Sequence, residues 1–235
     1  ALSNAEGSRT EAREYYEKAR EIREQLVSRT PDDLLALNNL SFSYWSLGKI
    51  ESDAAPVSLE RSFINADAAK TFFENGTSTI EKVLAVDPSE WTRGMTLCLY
   101  DSFGDLERSL GNLDSARKFY EKAEKIADEF RAENNESCEI LSNAARNLLN
   151  LGDLNYAEKK FDVARGYYER FRTAVDELVR KDPTAIRTQA LSTAALYRES
   201  LSALSHGDKK HARERLEAAL QHAEELAQKY PADAS

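Results

Sequence analysis

The sequence predicts an all-α fold, an α-solenoid of antiparallel helix pairs. The first observation is a recurring phrase: alanine, a basic residue, any residue, an aromatic and glutamate. It reads Ala12-Arg13-Glu14-Tyr15-Tyr16-Glu17, and returns from Ala69, Ala116, Ala164 and, more weakly, Ala212. The spacings are 57, 47, 48 and 48. The second is a column 19 residues after each alanine: Pro31, Pro88, Asn135, Pro183 and Pro231. The third is a column of Gly48, Gly104 and Gly152, filled by Ser200 in the last copy. With only 9 Gly and 5 Pro in 235 residues, a fold of many short strands and turns is disfavoured.

Each unit reads as two helices. Counting from the phrase alanine, apolar residues fall at +4 (Tyr16, Phe73, Tyr120, Tyr168, Leu216) and +14 (Leu26, Val83, Phe130, Leu178, Leu226). The +7 residues are Ala19, Gly76, Ala123, Phe171 and Ala219. These intervals share one helical face, and small residues at 0 and +7 let another helix approach closely. Proline at +19 ends the helix, and Asp or Ser after it (Pro31-Asp32, Pro88-Ser89) can cap the next.

In chain order, a lone helix of an incomplete first unit is expected over about 8–29. Helix pairs follow at about 33–50 with 67–86, 90–109 with 112–132, 136–156 with 159–180, and 184–205 with 208–229. The segment 51–66 is an insertion holding Pro56, with one helical turn near Ser58–Phe63. One domain over 8–230 is expected, about four and a half units with flexible ends at 1–7 and 231–235. The first unit lacks its first helix. The expectation is that upstream chain or a partner covers the apolar face left open, or that this face drives dimerisation.

The phrase Gly111-Asn112-Leu113-Asp114-Ser115-Ala116, continuing to Tyr120 and Ala123, resembles the tetratricopeptide repeat, as does Leu151-Gly152. That unit has 34 residues; an extra 14 adds about two turns per helix and keeps the buried stripe in phase. The chain looks like the long-helix variant appended to bacterial serine/threonine kinases or caspase-like peptidases. HEAT and armadillo units have similar lengths, but the Gly and Ala columns fit them less well. The resemblance implies a right-handed α-solenoid whose concave face is lined by the first helix of each unit, helix A. It also implies a protein-interaction module rather than an enzyme, without a cofactor.

Composition narrows the function classes. The net charge is −9, from 32 Lys+Arg against 41 Asp+Glu, a poor match to nucleic acid. No apolar run approaches the roughly 18 residues of a membrane span, and a cytoplasmic location is expected. Two cysteines cannot build a disulfide framework. Cys98 and Cys138 are expected as core thiols. His206, His211 and His222 lack metal-ligand spacing. The +1 cations and +5 glutamates (Arg13–Glu17, Lys70–Glu74, Arg117–Glu121, Arg165–Glu169, Arg213–Glu217) read as i,i+4 pairs on a solvated face.

By resemblance, the partner-binding candidates on the concave face are Trp45, Asp101, Arg108, Arg146, Tyr156 and Tyr197, of which Arg and Tyr are favoured interface anchors. The Lys/Asn set that clamps a peptide's terminal carboxylate in some relatives is not reproduced, which argues against that ligand. A protein or peptide partner is expected in the groove. The alternatives are a regulatory region of a larger kinase or peptidase acting in cis and, more remotely, a hydrolase using Asp101, Asp105 and Asp153.

Overall fold

The structure, a computed structural model, describes residues 2–52, 59–133 and 137–230. Residues 53–58 of the insertion, Pro56 among them, Asn135, and the expected flexible end at 231–235 lie outside the described residues. Among the described residues the elements are α1 (Leu2–Arg29), α2 (Leu34–Ser52), α3 (Leu59–Leu84), α4 (Glu90–Ser109), α5 (Leu113–Ala132), α6 (Cys138–Ala157), α7 (Phe161–Lys181), α8 (Ile186–Ser205) and α9 (Lys209–Lys229). The fold class is all-α, built from helix pairs of the solenoid kind. Two boundaries move outward from the sequence reading: α1 begins at Leu2, and α3 at Leu59, absorbing the turn expected near Ser58–Phe63.

The chain divides into two compact units, residues 1–126 and 127–235. In the first, Leu37, Phe73, Ile80, Val83, Leu99 and Phe103 form a continuous core between α2, α3 and α4. In the second, Leu141, Leu148, Phe171, Val175, Leu178 and Leu191 do the same between α6, α7 and α8. The phrase alanines Ala69, Ala116, Ala164 and Ala212 are all buried. Deep burial of these side chains is the main source of stability, each large one contributing about 1.5–3 kcal/mol.

The glycine column is explained by the aromatic column. A Cβ on Gly48 would lie 2.5 Å from the Phe73 ring, and one on Gly104 2.5 Å from the Tyr120 ring. On Gly152 it would strike Tyr168 in the same way. In each pair the +4 ring lies flat against helix A where only hydrogen leaves room. The last unit, where Ser replaces Gly, also replaces the aromatic, with Leu216.

The turn between paired helices needs one residue in the left-handed region. Gly111 (φ 80°), Lys159 (φ 62°) and Gly207 (φ 84°) fill it at the same place in successive repeats. The following N–H then reaches back to close the helix end: Asn112 to Glu107, Lys160 to Asn155 and Asp208 to Ala203 carbonyls, at 2.9, 2.9 and 3.0 Å.

Capping differs in detail from expectation. Asp33, not Asp32, accepts from the Leu35 and Ala36 amides at 3.0 and 3.1 Å. Ser89 makes no side-chain cap bond, because its hydroxyl pairs with that of Thr92 at 3.0 Å. Ser137 and Asp208 do cap, accepting from the Ile140 and His211 amides.

Candidate functional site: the helix-A faces

In the first unit α2 and α4 are each anchored to the preceding helix by polar contacts at the same repeat positions. The Tyr44 hydroxyl, four residues before its glycine, donates to Glu24 at 2.7 Å. In the next repeat Tyr100 donates to Glu81 at 2.6 Å. Burial and then the carboxylate neighbour push both phenols well above their ordinary range. Burial favours the neutral form of Glu81, but Tyr100 and Lys122 outweigh it and hold the carboxylate below its usual range.

Three residues past Gly48 and Gly104, Glu51 takes Arg13 at 2.6 Å and Glu107 takes Lys70 at 3.6 Å. The +1 cations are therefore not confined to a solvated ladder. Arg13, Arg165 and Arg213 do pair with the glutamate four residues on, at 3.5, 3.9 and 2.8 Å. Where the following helix A offers a glutamate, the cation also bridges the repeats.

In the first unit the helix-A face comes from α2 and α4. The Trp45 indole donates to Ser102 at 3.0 Å, and its ring lies 5.8 Å from that of Phe42. Trp45 is half-buried and packs on the core, so it joins the two helices along this face. Asp101 is 4% exposed and presents little surface. Arg108 stays half-exposed and pairs with Asp105 at 3.2 Å.

In the second unit the face comes from α6 and α8, fastened twice. The Arg187 guanidinium donates to the Asn143 side-chain carbonyl. Arg198 grips Asp153 with two bonds of 2.7 Å. Burial opposes the charge on Arg198, but the bidentate carboxylate raises its pKa further above the ordinary value. Asp153 also accepts from Tyr168 at 2.9 Å, as Asp105 does from Tyr120 at 2.7 Å. Asp105 and Asp153, two of the three carboxylates expected in an acidic groove, thus hold helix B against helix A.

Asn143, Arg146, Asn150 and Asp153 follow one helical face of α6. Arg146 is exposed between the two fastenings, with no ion pair among the described residues. Tyr197 is 40% exposed, and the Arg198 guanidinium lies 4.8 Å above its ring. Tyr156 sits elsewhere: it packs edge-on against Phe161 at 5.2 Å, inside the α6–α7 turn. Arg146 and Tyr197 are therefore the exposed candidates of this unit on the α6–α8 face.

Cys98 packs half-buried on the core, but Cys138 is exposed, because it opens α6 instead of sitting within it. His222 spans Thr193 and Gln189, both at 2.8 Å. His206 meets Asp162 at 3.1 Å. Among the described residues no group of three ligating side chains is placed to hold a metal, and no helix is long and apolar enough to cross a membrane.

Two segments match tetratricopeptide repeat models. They are residues 2–33 and 99–130. The first match covers α1 and the turn after it; the second covers the last half of α4 and most of α5. Tetratricopeptide repeats generally mediate protein–protein interaction, and the family is typically non-catalytic. No curated protein sequence matches the chain. Among solved structures, BtubC (BKLC) from P. vanneervenii is similar in fold, with a TM-score of 0.54 at 15% identity. The match covers 93% of this chain and 92% of that one.

The sequence reading missed the acid at +12: Glu24, Glu81, Asp128, Asp176 and Glu224. The signal was present as a complete column. Acids are common on exposed helix faces, so the column by itself names no role, and the tyrosines that Glu24 and Glu81 meet lie one helix further on.

Proposed function

We propose that the chain is a non-catalytic protein-interaction module that receives a polypeptide segment along the helix-A face of the second unit. The observation that carries this reading is Arg146, exposed between the Arg187–Asn143 and Arg198–Asp153 contacts that fasten α6 to α8. An exposed Arg146 with no ion pair among the described residues, beside an exposed Tyr197 ring, suits a segment with an acidic and an apolar side chain. The 48-residue repeat, with helices of 20 or 21 residues from α4 onward, supports reading it as a long-helix tetratricopeptide variant.

Partners captured from lysate by the wild-type chain are compared with those captured by an Arg146→Glu/Tyr197→Ala variant of equal helicity. Loss of specific partners from the variant is expected. Retention of the same set would move the binding site off this face.

A second contact is favoured by α1, whose Tyr15, Ile22 and Leu26 are exposed along one side. A second copy or a flanking segment covering that side would serve a dimeric or in-cis regulatory role. Light scattering with Ile22→Asp distinguishes these: an oligomer that dissociates in the variant supports the dimer, and a monomer at every concentration opposes it.

A further inference from the structure

Among the described residues, the contact rule between successive repeats is left unfilled on α9. On α1 and α3 the side facing the next helix A carries a cation at +1 and an acid at +12, and on α3 packing groups at +4, +8, +11 and +15 lie between and beside them. In α3 these are Lys70, Glu81, Phe73, Thr77, Ile80 and Leu84. Lys70 and Glu81 engage Glu107 and Tyr100 of α4, and Phe73 packs 5.9 Å from Phe103. In α9 the same positions hold Arg213, Glu224, Leu216, Leu220, Ala223 and Ala227. Leu216 and Leu220 are 50% and 60% exposed. Among the described residues Glu224 is exposed with no ion pair, and Arg213 reaches only Glu217 of its own helix. Beside them Ile186, Ala190, Leu226 and Tyr230 line an apolar groove of about 390 Å³.

We propose that this side of α9, with the groove it shares with α8, docks an amphipathic helix from a partner protein. The docked helix carries a tyrosine and, seven residues later, a glutamate on the edges of its apolar stripe. That spacing is common to Tyr44 and Glu51 in α2 and to Tyr100 and Glu107 in α4. The tyrosine hydroxyl donates to Glu224, and the glutamate pairs with Arg213. The stripe between them covers Leu216 and Leu220. Charge complementarity sets direction: the acid must lie toward the start of α9 and the hydroxyl toward its end, so the helix runs antiparallel to α9.

The chain supplies its own probe. A fluorescein-labelled peptide of residues 89–111, carrying Tyr100 and Glu107, is titrated with the full chain and followed by anisotropy. Saturable binding is expected, weakened roughly fivefold by Arg213→Glu and by Glu224→Lys, the size of a good exposed polar pair. Leu220→Asp abolishes it. A Glu107→Lys peptide recovers binding to Arg213→Glu, which a general loss of structure cannot produce. All three positions are exposed, and circular dichroism confirms unchanged helicity in each variant. Absence of binding, or binding indifferent to all three substitutions, overturns the proposal. So does uptake that falls as the chain's own concentration rises, because a second copy would then be the occupant.

Discussion

Lys159 is the residue whose backbone conformation its side chain suits least. It occupies the left-handed position that Gly111 and Gly207 fill in neighbouring repeats. A Cβ there costs about 1–2 kcal/mol, partly offset by the entropy a glycine would lose on folding. Lys159→Gly should therefore stabilise the chain by about 0.5–1 kcal/mol, measured as a higher urea midpoint. Gly152→Ala should act the opposite way, because its Cβ meets the Tyr168 ring. The expected loss is about 1–3 kcal/mol, as for overpacking in a close-packed core. Adding Tyr168→Leu should recover part of it, following the Ser200 and Leu216 combination of the last unit. Both columns were legible in the sequence. Their mutual dependence was not, since it lies in contacts across 16 or, for Gly48 and Phe73, 25 residues rather than in either column alone.

At the scale of elements, polar fastenings decide which helices hold together. The Arg198–Asp153 pair joins α8 to α6 with both side chains mostly shielded from water. Arg198→Ala removes two charge-assisted bonds and leaves Asp153 to Tyr168 alone. A loss of about 1–3 kcal/mol is expected in denaturant unfolding. The His206–Asp162 contact should titrate. The Ser202 carbonyl and then Asp162 raise the His206 pKa above its usual 6.5. Its stabilising contribution is thus complete below that value and lost as pH rises through the folded-state pKa. A histidine NMR titration should give a midpoint above 6.5 that falls in Asp162→Asn. Helix boundaries were largely legible because the 3.6-residue period and the proline column mark them. The tie between Trp45 and Ser102 was not, since nothing in either residue type names its partner. Asp105 and Asp153 show the limit most plainly: a carboxylate after a glycine reads as free, and only the ring facing that glycine shows it to be engaged.

For the whole chain, stability should be graded along the repeats. The described side chains of α1 include none that is fully buried, and in α9 Ala212 and Ala219 alone are, whereas α4 and α6 bury most of theirs. Hydrogen exchange should accordingly be fastest in α1 and α9 and slowest in α4 and α6. Uniform protection across all described helices would contradict that gradient. Function is less legible than fold at this scale, because a repeat states how its copies stack and not what they hold. Arg146 was readable as a candidate by its position. Its availability depends on Arg187, Asn143, Arg198 and Asp153 engaging one another around it. The most direct test places a photo-crosslinking residue at position 146 and, separately, at Gly166, a site on α7 where an added Cβ meets nothing within 4 Å. The interaction-face account predicts a discrete crosslinked polypeptide from position 146 and none from position 166. Equal crosslinking from both, or crosslinking from position 166 alone, would contradict it.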